Sequence, residues 1–172
     1  MNLRKIYKQG NTVLGLRFDT VVIFSIYSLS VLIPLVIGNP QLLVGSAINF
    51  LITYSTLKYG IKKTVPVLLL PSITVTITGI LFDGATHFLI YVMPFIMISN
   101  LIFAFFISKE KNFSYILAIL LKGSFLFVSF IVMNKVVGLP NIFISSVYMQ
   151  YITASIGLIA ALGIVKSLDR VK

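Results

Sequence analysis

The chain has 172 residues, 58% hydrophobic and 10% charged, with a mean hydropathy of +1.05. Water-soluble domains carry about 25% charged residues, so these values exclude an ordinary soluble core. A formal charge of +10 raises the question of nucleic acid, which the placement of the charges answers below, and the absence of cysteine removes disulfides, thiolate metal sites and cysteine nucleophiles.

The chain opens with a basic arm, Arg4, Lys5, Lys8 and Arg17, followed by an uncharged run over 20–37. That run exceeds the roughly 7–15 residues of a signal-peptide core, and no A-x-A site follows, so it reads as a retained helix. Further apolar runs cover 41–57, 64–82, 88–108, 113–133 and 142–165. A bilayer core about 30 Å thick needs roughly 20 apolar helical residues to cross. These runs are too long and too unalternating for barrel strands, and only helices or closed barrels satisfy their backbone in lipid. The expectation is therefore an all-α bundle of six transmembrane helices forming a single integral membrane domain over 1–172. The connections GNP, KYGIKK, DGATH, KEKN and NKVVGLPN carry the Gly, Pro, Asn and charge of turns. Pro34, Pro71 and Pro94 fall inside runs, where each removes a backbone donor and favours a kink.

Basic residues concentrate on one side of this arrangement. Besides the N-terminal arm, that side holds Lys58, Lys62 and Lys63, then Lys109 and Lys111, then Lys166, Arg170 and Lys172; the other side holds Lys135 alone. The positive-inside rule puts both termini in the cytoplasm. The excess charge is then an orientation signal, helped by anionic lipid headgroups, and argues against a nucleic-acid patch.

Lys122 is the exception, an ionisable group inside an apolar run. At 1.5 Å of rise per residue it lies about 13 Å from the start of that run, beyond full snorkelling to the surface. The acids, Asp19, Asp83, Glu110 and Asp169, all fall at or beyond run ends. A buried ammonium without an anion has three resolutions: oxygen atoms of the protein, loss of its proton, or an anionic ligand, most simply a carboxylate. Asn49 and Gln150 lie about 12 Å below the outer surface, and Asn100 is deeper. Each alone is accounted for by interhelical hydrogen bonding; with Lys122 they would make a polar pocket in an apolar wall. Gln150, Thr153, Ala154, Gly157 and Ala161 share one helical face, and Gly157-x-x-x-Ala161 permits close helix contact, within the bundle or with a partner subunit.

Asp83 and His87 fall in an outer loop, as solvated residues or as a gate that touches ligand. One histidine and one acid do not make a metal site. No Ser/His/Asp pattern, P-loop or GxGxxG occurs, and Lys122 and Ser124 point to different faces, so no enzyme is expected and no cofactor is implied. Uphill transport would draw its energy from a partner or an ion gradient.

The stretch GSAINFLITYSTLKYGIKKTVPVLLLPSITVTITG resembles the second and third helices of substrate-binding S components of energy-coupling-factor transporters, with Asn49, Gly60, Pro71 and Gly79 in that pattern. MPFIMISN resembles a fourth-helix motif of one branch, whose fifth-helix lysine is matched by Lys122 and whose sixth-helix Q-x-x-T is matched by Gln150 and Thr153. The resemblance spans about 37–165. It implies a six-helix subunit of a prokaryotic plasma (inner) membrane that captures a vitamin-like micronutrient from outside. It also implies partners: a transmembrane coupling subunit and cytoplasmic ATPases. The family's ligand site, among the later helices toward the outer side, would involve Lys122, Asn100, Gln150 and Asn49. The A-x-x-x-A docking pattern of the family's first helix is missing; Ser25, Ser28 and Ser30 are the small residues there, so Ser25, with Gly157 and Ala161, is a candidate docking position. The competing expectations are a non-transporting scaffold of a cell-envelope assembly and an autonomous secondary transporter.

Overall fold

A computed structural model describes residues 12–13, 16–38, 40–79 and 87–170. A two-residue antiparallel ladder, β1 (Thr12–Val13) with β2 (Leu16–Arg17), leads into the helices. These are α1 (Phe18–Ile37), α2 (Gln41–Tyr59), α3 (Ile61–Thr78), α4 (Leu89–Ile107), α5 (Asn112–Val137), the single turn α6 (Asn141–Ser145) and α7 (Val147–Arg170).

Local chemistry sets the ends. Gly60 joins α2 to α3 with φ of 80°, a conformation that costs a side-chain-bearing residue about 1 kcal/mol or more. Its N–H donates to the Thr56 carbonyl at 3.0 Å, and Thr64 Oγ1 donates back to the Gly60 carbonyl at 3.1 Å. The α3 helix therefore starts at Ile61, earlier than the apolar run at 64, because a helix with a polar first turn at the surface needs no hydrophobic residues there. At the start of α5, Ser114 Oγ accepts from the Lys111 N–H at 3.2 Å and donates to the Lys111 carbonyl at 2.7 Å. Gly138, with φ of 67°, ends α5, and Asn134 Nδ2 donates to the Leu139 carbonyl, pinning the turn into α6. The sixth run is broken rather than continuous. Ser146 turns its hydroxyl onto the Phe143 carbonyl at 2.8 Å, and α7 restarts at Val147.

Among the described residues, five helical units are long and apolar enough to cross a membrane: α1, α3, α4, α5 and the α6–α7 pair. They mark the chain as a multi-pass membrane protein. Outward-facing residues agree with a lipid environment: Phe24, Val36, Ile77, Val128 and Ile159 are all strongly exposed. The expected second span departs from this. The α2 helix carries Asn49, Thr53, Ser55 and Thr56, all buried, and lies among α1, α3, α4 and α7. A helix enclosed by protein can be polar, because its hydroxyls close on its own carbonyls: Thr53 on Asn49 at 2.8 Å, Ser55 on Leu51 at 2.6 Å, Thr56 on Ile52 at 2.7 Å.

The core has two apolar layers. One gathers Ile52, Leu68, Phe103, Ala118, Ala154 and Leu158; the other gathers Leu89, Val92, Leu126, Phe130, Phe143 and Val147. Along α4, α5 and α7 a polar residue falls between the layers: Asn100, Lys122 and, on α7, Gln150 with Thr153.

Candidate functional site

Lys122 projects from α5 into the level where the two layers meet, and only 2% of its surface is exposed. Its Nζ donates to Asn49 Oδ1 of α2 at 2.5 Å and to Asn100 Oδ1 of α4 at 2.8 Å. The Phe103 ring, one turn beyond Asn100, lies with its centroid 5.0 Å from Nζ, within the range of a cation–π contact. Among the described residues no carboxylate pairs with Lys122.

The amide orientations follow from this chemistry. An ammonium only donates, so both carboxamides must present oxygen to it and turn their NH2 groups away. Asn49 Nδ2 donates to the Gly45 carbonyl at 2.9 Å and to Thr153 Oγ1 of α7 at 3.2 Å. Asn100 Nδ2 donates to the Leu68 carbonyl of α3 at 3.4 Å. The network therefore ties α2, α3, α4, α5 and α7 at one level. Asn49 therefore has no N–H left for an occupant of the pocket, whereas Asn100 keeps its second N–H.

Beside this network lies a cavity of about 120 Å³. Lys122, Asn49, Asn100 and Gln150 all line it, so the four candidate residues converge on one space. Its wall is otherwise mainly apolar: Val44, Ile48, Val75, Leu89, Met93, Ile96, Phe130 and Phe143, with Pro34 and Pro71. Gln41, Ser72, Thr76 and Ser146 add polar atoms. The Thr76 and Ser146 hydroxyls donate at 2.8 Å to carbonyls of Ser72 and Phe143. Among the described residues, the carboxamide of Gln150 has no hydrogen-bond partner.

Small residues let the helices approach. A side chain on Gly157 would meet the backbone nitrogen of Phe50 at 2.6 Å and the carbonyl oxygen of Ser46 at 2.7 Å. Gly157 thus seats α7 on α2, and Ala161 on the same face is fully buried. Both are corrected as docking candidates: their surface is consumed within the bundle. Ser25 stays exposed on α1 beside Ser28, whereas Ser30 is buried. Gly45 performs the same service for Thr153, whose Cγ2 lies 2.9 Å from the place of an added Cβ.

The loop candidates lie apart from this centre. His87 is exposed ahead of α4, with its ring 4.2 Å from that of Phe88, and is not part of the cavity wall; Asp83 lies outside the described residues. Sequence reasoning missed Phe103, Gly45, Ser72 and Ser146. For Phe103 a signal existed, since it follows Asn100 by one helical turn and shares its face. No protein-family model, curated protein or solved structure matches this chain.

Proposed function

We propose that this chain is the substrate-capturing subunit of an energy-coupling-factor-type uptake transporter, handling a small, vitamin-like anionic solute. The observation that supports it most is Lys122: a buried amine with no acidic partner among the described residues, on the wall of a cavity inside an apolar bundle. An ammonium has three donors; two go to Asn49 and Asn100, which leaves one for an occupant. In this reading both termini face the cytoplasm of a prokaryotic cell and the membrane is the plasma (inner) membrane, as the basic helix ends argue. The chain holds no catalytic role of its own. A coupling subunit and cytoplasmic ATPases supply the energy, and the exposed Ser25 face of α1 is where the coupling subunit docks.

The test is affinity purification from native membranes with mass spectrometry of proteins and retained small molecules. A coupling protein, ATPases and a retained anion are expected. A second reading, a non-transporting scaffold, draws on the same lysine: its bonds to two asparagines also work as a structural tie. Envelope proteins in place of ATPases, with no retained solute, would favour the scaffold.

A further inference from the structure

We infer that the cargo is a small monocarboxylate with a compact apolar body. This rests on the transport reading above and sharpens it from an anion in general to one chemical class. The first ground is charge. Among the described residues, Lys122 is the only ionisable side chain on the cavity wall, so the site balances one negative charge; a dianion would leave a second buried charge without a partner. The second ground is the donor inventory. Asn49 has turned both N–H groups onto protein acceptors, Asn100 has turned one, and Thr76 and Ser146 donate to their own helices. What remains for an anion, among the described residues, is the third N–H of Lys122, the second N–H of Asn100, the carboxamides of Gln150 and Gln41 and the Ser72 hydroxyl; Lys122 and Gln150 are enough to hold the two oxygens of one carboxylate.

The third ground is size and lining. A dry cavity of roughly 150 Å³ accommodates benzene, and this one measures about 120 Å³. Its apolar side is built from Val75, Leu89, Met93, Ile96, Phe130 and Phe143. A short branched aliphatic group matches this smaller volume, a single ring bearing a carboxylate lies at its limit, and a fused-ring or long-chain body exceeds it. The carboxylate then sits against Lys122 and Gln150 with the apolar end toward Met93 and Phe143.

The experiment measures equilibrium binding to the purified full chain in lipid nanodiscs. The probes are isovalerate and benzoate, their neutral amides isovaleramide and benzamide, the dianion phthalate, and the bulkier diphenylacetate. Isovalerate or benzoate should bind roughly 10- to 100-fold more tightly than its amide, the worth of one charge-assisted hydrogen bond, and more tightly than phthalate or diphenylacetate. Lys122→Met should abolish the preference for acid over amide, while Gln150→Leu should reduce it in part. No binding of either small acid at millimolar concentration overturns the inference, as does equal affinity for acid and amide. The wild-type comparison needs no variant, so misfolding of Lys122→Met cannot mask the outcome. Loss of the acid preference in a protein that still co-purifies with ATPases removes the cargo class alone. An acid preference in a protein without those partners leaves the ligand class standing and removes the transporter reading.

Discussion

The amine–amide network is best probed at Asn49. Replacing it with Leu keeps the volume but removes the Oδ1 that accepts from Lys122 at 2.5 Å and the Nδ2 that reaches Thr153 at 3.2 Å. A hydrogen bond to a charged group contributes about 1.5–3 kcal/mol and a neutral one about 1 kcal/mol. With Asn49 only 2% exposed, water cannot replace either. Asn49→Leu should therefore destabilise the fold by about 2–4 kcal/mol. Lys122→Met removes the other partner and leaves Asn49 and Asn100 with unpaired oxygens. The double variant, Asn49→Leu with Lys122→Met, has neither the stranded cation nor the stranded Asn49 acceptor, and such paired apolar replacement is close to neutral. It should lie at least about 1 kcal/mol above the sum of the two single losses. The assay is reversible unfolding in mixed micelles, followed by circular dichroism. Additive losses, or an Asn49→Leu protein as stable as wild type, would refute the claim that Lys122 is held by Asn49.

Other outcomes follow from packing. Gly157→Val should destabilise by about 3 kcal/mol or more, since its Cβ would lie 2.6 Å from the backbone nitrogen of Phe50, which cannot swing aside; the same unfolding assay reads it. At Gly138, where φ is 67° and nothing lies within 4 Å of an added Cβ, Ala should cost only about 1 kcal/mol, all of it backbone strain. Ser25→Phe, on the exposed face of α1, should leave unfolding unchanged but reduce co-purification of a coupling subunit severalfold. If partners persist at wild-type levels, α1 is not the docking face.

Much of the bundle was legible from composition alone. A stretch of apolar residues long enough to cross a bilayer has few structural choices, because every backbone polar group must be satisfied within the segment. Charges at the connections then mark which ends lie together. The boundaries at 60 and 138 were written in glycines that accept positive φ. The beginning of α3 was not, since its first turn is polar and hydropathy is blind to it. Nor was the break at Ser146, which depends on a hydroxyl choosing a carbonyl one turn back. The second helix was read as one more span, yet its buried hydroxyls and Asn49 belong to a helix wrapped by others; the run of side chains cannot say what surrounds it.

For the site, the division is sharper. That Lys122 is deep, cationic in its ordinary state and without an acid of similar depth follows from position along the chain. Whether its neighbours in space were oxygens, lipid or a cavity was beyond reach, because hydropathy carries depth but not rotation about each helix axis. Packing supplied the rotation. Gly157 against α2 and Gly45 against Thr153 bring α2 and α7 close enough for Asn49 to reach across to Thr153. The same rotation removed Gly157 from the outer surface and turned both N–H groups of Asn49 onto Gly45 and Thr153. Depth in the membrane is a one-dimensional property that the order of residues determines; convergence of side chains from different helices is three-dimensional, and only the close approach of the helices decides it.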